Sequence, residues 1–228
     1  MWTFQLKGVA RGLIYIHDQD LVHGDLKGVR LQIRTIVFPF LLTSIFLKAN
    51  ILIDQFGNAL LADFGMATNV PDPENPLSSS SNDRGGTVRW MSPELMDPER
   101  FGYKKITRTK ASDCYAFAMV IYEVISGHLP FQGRSSFAVS IMVMEGTRPG
   151  RETGFPDAIW DMLEFCWVDR PRDRPSVNDV LQCLEDVSYL RVSSMSSSSP
   201  AGEATTPYYG VFYIFTSSSR DDPQSDYP

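Results

Sequence analysis

The chain has 228 residues, 43% of them hydrophobic, with 21 Lys and Arg against 27 Asp and Glu for a net charge of −6. That size and composition suit one soluble domain, or one domain with a tail, and supply ample apolar material for a core. An acidic balance with no clustered basic face argues against a nucleic-acid partner. Three cysteines too widely spaced for a Cys-x-x-Cys pattern argue against a metal or redox motif and for reduced thiols.

The first twenty residues, "MWTFQLKGVARGLIYIHDQD", lack the basic, apolar and small-residue regions of a signal peptide. Leu6, Val9, Leu13 and Ile16 recur at helical spacing, so the chain is expected to open in a helix over Phe4 to Ile16 that ends near His17 and Asp18. Next comes "HGDLKG", followed by twenty acid-free residues, Val29 to Lys48. Their apolar run, Ile36 to Leu47, is broken by Pro39 and falls short of the ~20 apolar residues that cross a bilayer, so no membrane span is expected. "ANILID" and "NALLAD", joined through "QFG", read as a small hairpin with Gly57 at its turn. Gly65 to Met91, with its prolines, the Ser78 to Ser81 run and paired Gly85 and Gly86, reads as a long aperiodic loop.

Four more helices are expected, over Ser112 to Ser126, Ser135 to Gly146, Pro156 to Val168 and Ser176 to Leu190. The first is apolar nearly all round and therefore belongs at the centre of the domain. The last opens on Ser176 and Asp179, a capping box with Asp in place of Glu or Gln. From Ser193 onward ten serines and four prolines dominate, too polar a segment to offset its ordering entropy, so residues 191–228 are expected to form a disordered tail.

With Val29 to Lys48 lifted out, "HGDLKG" and "ANILID" join as His-x-Asp-Leu-Lys-x-x-Asn, with four residues between Asp25 and Asn50. This resembles the catalytic loop of protein kinases. In the same order follow Asp63-Phe64-Gly65, "GTVRWMSPE", a buried helix carrying Asp113, and "CWVDRPRDRPS". Over residues 1–190 the chain resembles the C-terminal lobe of a protein kinase, specifically of the tyrosine-kinase-like group of Ser/Thr enzymes. The resemblance implies a mainly α lobe of the α+β kinase fold, carrying a small β-hairpin. It also implies ATP-dependent phosphoryl transfer to Ser or Thr of a protein substrate, with ATP and Mg²⁺ as cofactors and the cytoplasm as the setting.

The resemblance assigns roles residue by residue. Asp25 would orient or accept the proton of the substrate hydroxyl, and Lys27 would lie near the γ-phosphate. Asn50 and Asp63 would offer oxygens to Mg²⁺, and Leu52 would lie beneath the adenine ring. His23 and Phe64 would form an apolar stack linking two lobes. Glu94 and Arg174 would pair in a buried anchor, and Asp113 would accept main-chain N–H groups of the catalytic loop. Lys27 and Thr87 favour Ser/Thr over Tyr as the acceptor.

Three departures qualify the resemblance. Gly24 stands where many kinases carry an arginine that pairs with a phosphorylated activation loop, which puts control of that kind in doubt. None of the 228 residues supplies a Gly-x-Gly-x-x-Gly loop, its partner strand lysine or a helix glutamate to hold it. The expectation is a lobe without the roof of the nucleotide site, transferring phosphate slowly or not at all, with a non-catalytic protein-binding module as the alternative. Finally, Val29 to Lys48 corresponds to a 60-nucleotide stretch whose first codon begins GT and whose last can end AG. It is read as translated intron, a family-specific insertion being the other reading.

Overall fold

A computed structural model describes residues 2–28, 51–53, 59–61, 68–69 and 88–196. Among them lie helices α1 (Trp2–Asp18), α2 (Pro93–Met96), α3 (Lys110–Ser126), α4 (Ser136–Met144), α5 (Asp157–Cys166) and α6 (Val177–Ser196). Four short strands accompany them: β1 (Leu21–Val22), β2 (Ile51–Ile53), β3 (Ala59–Leu61) and β4 (Thr68–Asn69).

The centre is α3. Every residue from Ser112 to Glu123 is buried, and Tyr115, Phe117, Ala118 and Met119 are fully so. Apolar side chains sealed this completely contribute about 1.5–3 kcal/mol each. The helix starts on a reciprocal cap: the Thr109 side chain accepts from Ser112 N, and Ser112 Oγ accepts from Thr109 N. Two otherwise orphaned donors of the first turn are thereby satisfied inside the core.

Around this axis α1 packs on α3, α6 and β3, and α5 packs on α3 and α6. The apolar stripe of α1 (Leu6, Val9, Leu13, Ile16) is buried as its spacing requires. Gly8 and Gly12 leave room for β3: a Cβ at Gly12 would lie 3.0 Å from Leu61 Cδ1. The expected hairpin is present, β2 and β3 pairing antiparallel with Leu52 opposite Leu60. A second antiparallel pair joins Leu21 and Val22 of β1 to Asn69 and Thr68 of β4.

The lobe is mainly helical with small strand pairs, as the sequence implies. Two expectations change. Thr68 and Asn69 form a strand inside the stretch read as aperiodic, because β1 offers them a partner that local sequence does not reveal. And α6 continues to Ser196, six residues beyond Leu190, past the point where serine content suggests a tail. Val29 to Lys48, and the tail beyond Ser196, lie outside the described residues.

Candidate active site

Chain direction brings the loop after β1 to the first turn of α3. His23 is completely buried there and Asp113 nearly so. Asp113 Oδ2 accepts from His23 N at 2.8 Å, Asp113 Oδ1 accepts from Gly24 N at 2.8 Å, and His17 Nε2 lies 2.9 Å from Oδ2. A buried carboxylate is tolerated only when its lone pairs are occupied, and here two main-chain amides, an imidazole and the positive end of a helix surround it. The expected grip of Asp113 on the loop is therefore present, and its purpose is geometric, since it fixes main chain rather than side chain.

Gly24 follows in the left-handed region, with φ of 76°. Glycine enters that region without the penalty a Cβ incurs, which gives a local reason for its presence. Arg108 Nε donates to Gly24 O at 3.0 Å, so both polar groups of this residue are held. Asp25 N approaches His23 Nδ1 at 3.4 Å, and Leu26 plugs into the core. Lys27 Nζ donates to Asp25 Oδ2 at 2.8 Å, with the two side chains 22% and 17% exposed. The pair is shielded yet reachable, as a site that must meet a ligand requires. Gly28 closes against α3: a Cβ there would fall 1.7 Å from Glu123 Oε2.

A second carboxylate anchors the other side of α3. Arg174 Nη1 and Nη2 donate to Glu94 Oε1 and Oε2, both at 2.7 Å, with both side chains fully buried. Further donation to Val168 O, Ala111 O and Asp169 O uses the rest of the guanidinium fork. The Tyr115 ring lies between two guanidiniums, 5.0 Å from that of Arg174 and 5.6 Å from that of Arg148. Burial drives the Tyr115 phenol well above its usual range, and the two cations offset this only in part. Arg89, just before Trp90, donates to Pro130 O, Phe131 O and Arg134 O, tying the stretch ahead of α2 to the turn ahead of α4.

Of the site residues read from sequence, the structure brings Asp25 and Lys27 into contact and places Leu52 in the middle of β2. Asn50, Asp63, Phe64 and Thr87 lie outside the described residues. The expected Glu94–Arg174 pair is present. Sequence reasoning missed His17 and Arg108. His17 was legible as the polar end of an amphipathic helix, but nothing local ties Arg108 to a residue 84 positions earlier.

A helical lobe whose buried central helix grips a His-x-Asp-x-Lys loop by its main chain, with a Glu–Arg anchor on the far side, is a protein kinase C-terminal lobe. Residues 46–184 match the protein tyrosine and serine/threonine kinase family, and the chain belongs to that family. It is 29% identical over 200 residues to a light-sensor protein kinase of Ceratodon purpureus, covering 82% of this chain and 14% of that protein. It is 32% identical over 189 residues to the dual specificity protein kinase pyk3 of Dictyostelium discoideum, covering 82% and 12%. A probable LIM domain-containing serine/threonine-protein kinase of the same organism is 27% identical over 180 residues, covering 79% and 23%. The chain thus spans less than a quarter of the length of these relatives.

Proposed function

We propose that this lobe orients a Ser or Thr hydroxyl of a protein substrate for phosphoryl transfer from ATP, with Asp25 and Lys27 as the groups nearest the reaction. The observation that carries the reading is the Asp25–Lys27 contact at 2.8 Å, half-shielded, on a loop whose preceding residues Asp113 holds by their amides. Asp25 would align the hydroxyl and receive its proton late in the transfer. Lys27 fits an anionic group beside that carboxylate, because an ammonium offers further donors once one is used on Asp25. Positioning and charge neutralisation are the bulk of what phosphoryl transfer asks of a protein.

Mg²⁺ suits hard oxygen donors, and Asn50 and Asp63 are the residue types that would hold it. When bound, ATP supplies the phosphoryl group and the metal neutralises its charge. Among the described residues no helix is long and apolar enough to cross a membrane. A cytoplasmic setting belongs to the proposal because ATP is a cytosolic donor.

The test is a radiolabelled-phosphate transfer assay with Mg²⁺ and a Ser/Thr peptide pool. It is run on the 228-residue chain, on that chain without Val29 to Lys48, and on the latter fused behind a kinase N-terminal lobe. Transfer to Ser or Thr is expected to be strongest in the fused form and abolished there by Asp25→Asn and by Asp63→Ala. A folded fused form that binds no nucleotide would replace the enzyme with a protein-binding module.

A further inference from the structure

Side chains hold both the amide and the carbonyl of Gly24, and both holders sit at one end of one helix. Asp113, in the first turns of α3, takes the amide at 2.8 Å; Arg108, just before the Thr109 cap, takes the carbonyl at 3.0 Å. The amide belongs to the peptide between His23 and Gly24, and the carbonyl to the one that leads directly into Asp25. A glycine at φ 76° has the widest choice of backbone states of any residue, so its two neighbours in the loop inherit that freedom unless something removes it. Asp113 alone fixes the incoming peptide plane. The outgoing plane, Gly24 to Asp25, has a long contact at its amide end, Asp25 N to His23 Nδ1 at 3.4 Å, and the shorter bond from Arg108 at its carbonyl end.

We infer that Arg108 is a positioning residue for Asp25: its guanidinium fixes the outgoing peptide plane of Gly24 and thereby the direction in which the Asp25 carboxylate points. Arg108 is half-buried and makes this contact through Nε, the donor with the least rotational freedom in the side chain. Its contact is to the main chain of the loop, and Asp25 and Lys27 pair with each other directly. The restraint is constitutive. It is built from two residues of the lobe and calls for no added phosphate, so the loop is held by the start of α3 whatever the modification state of the chain. A reacting group misplaced by as little as ~1 Å loses about two orders of magnitude in rate, which is why one hydrogen bond at this peptide matters.

The kinetic meaning of this clamp rests on the phosphoryl-transfer reading, but its geometry does not, and the experiment separates the two. Hydrogen exchange is followed by mass spectrometry on peptides covering residues 20–28 and 109–126 in the full chain, for the parent protein, Arg108→Met and Arg108→Lys. Arg108→Met is expected to speed exchange at the Gly24 and Asp25 amides about tenfold while leaving α3 and the melting temperature unchanged, and Arg108→Lys to restore part of the protection through its own N–H donor. Unchanged exchange at 20–28 in Arg108→Met overturns the proposal. So does faster exchange spread equally over both peptides, which would make Arg108 a general support of the lobe. In the fused enzyme the same Met variant is expected to lower kcat about tenfold with KM unchanged. A fused form that transfers no phosphate, yet whose parent chain shows Arg108-sensitive exchange, keeps the clamp and removes only the enzymatic reading.

Discussion

Asp113, in the first turn of α3, and Glu94, on α2, are both buried carboxylates, and they are held in different ways. Glu94 meets a full positive charge, with both oxygens on the Arg174 fork and neither side chain reached by solvent. Asp113 meets two main-chain amides and a helix start, with the His17 imidazole 2.9 Å from its Oδ2. The charged pair binds two distant segments, and its members are useless apart. The second arrangement shapes one short loop, and two of the groups on it are main-chain amides, of His23 and Gly24, that remain through ordinary side-chain substitution. Charge against charge builds the frame, whereas charge against amides sets the position of a working group.

That contrast yields a ranked set of expectations. Arg174→Met strands the Glu94 carboxylate in the core and is expected to cost about 3–5 kcal/mol, read as a lower urea midpoint. Replacing both partners, Glu94→Leu with Arg174→Met, is expected to be milder than either single change; equal or greater loss would show that the hydrogen bonds to Val168, Ala111 and Asp169 hold the site rather than the ion pair. Asp113→Ala leaves the His23 and Gly24 amides buried without an acceptor, at about 1–3 kcal/mol. Its signature should be local, with hydrogen exchange rising at residues 20–28 before the lobe melts.

Gly28→Ala is expected to cost about 1–3 kcal/mol through overpacking, because the new methyl occupies the place of the Glu123 carboxylate. A thermal melt indistinguishable from the parent would mean that Glu123 swings aside freely.

The smallest effect lies far from the loop. The Ser176 hydroxyl and amide donate to Asp179 Oδ2 at 2.7 and 2.8 Å and hold its carboxyl below the usual value. A depressed folded value means that the contribution is present above the ordinary carboxylate pKa and is lost as pH falls through the folded one. Asp179→Asn should therefore lower stability slightly at neutral pH and converge on the parent in acid, flattening the acid limb, as a pair of melting curves at pH 7 and pH 3 would show.

Periodicity placed α1, α3, α4, α5 and the start of α6, since a buried stripe at 3.6-residue spacing is written in the local sequence. The Ser176–Asp179 box and the β2–β3 hairpin were legible for the same reason. Motif order placed Asp25, Lys27, Asp113 and the Glu94–Arg174 pair. What escaped is non-local. The β1–β4 pairing, the Arg108 contact and the meeting of Cys114 with Cys166, Sγ to Sγ at 3.7 Å, each join residues dozens of positions apart. Widely spaced cysteines excluded a Cys-x-x-Cys motif but not adjacency in space. Their shared hydrogen bond, then burial, push the Cys166 thiol up, which keeps it protonated. The end of α6 escaped because serine-rich composition argued for a tail, while helical hydrogen bonding carries the backbone to Ser196.

The separation of partners along the chain also sets a timetable for synthesis. Asp113 follows His17 by 96 positions, and Arg174 follows Glu94 by 80. As the polypeptide leaves the ribosome at roughly 5–20 residues per second, the segment bearing Asp25 waits several seconds or more before the carboxylate that shapes it exists. The Glu94 carboxylate waits a comparable time for its guanidinium. Nascent chains stalled between these points should be open to protease at residues 20–28 and become resistant there only after residue 113 has cleared the exit tunnel.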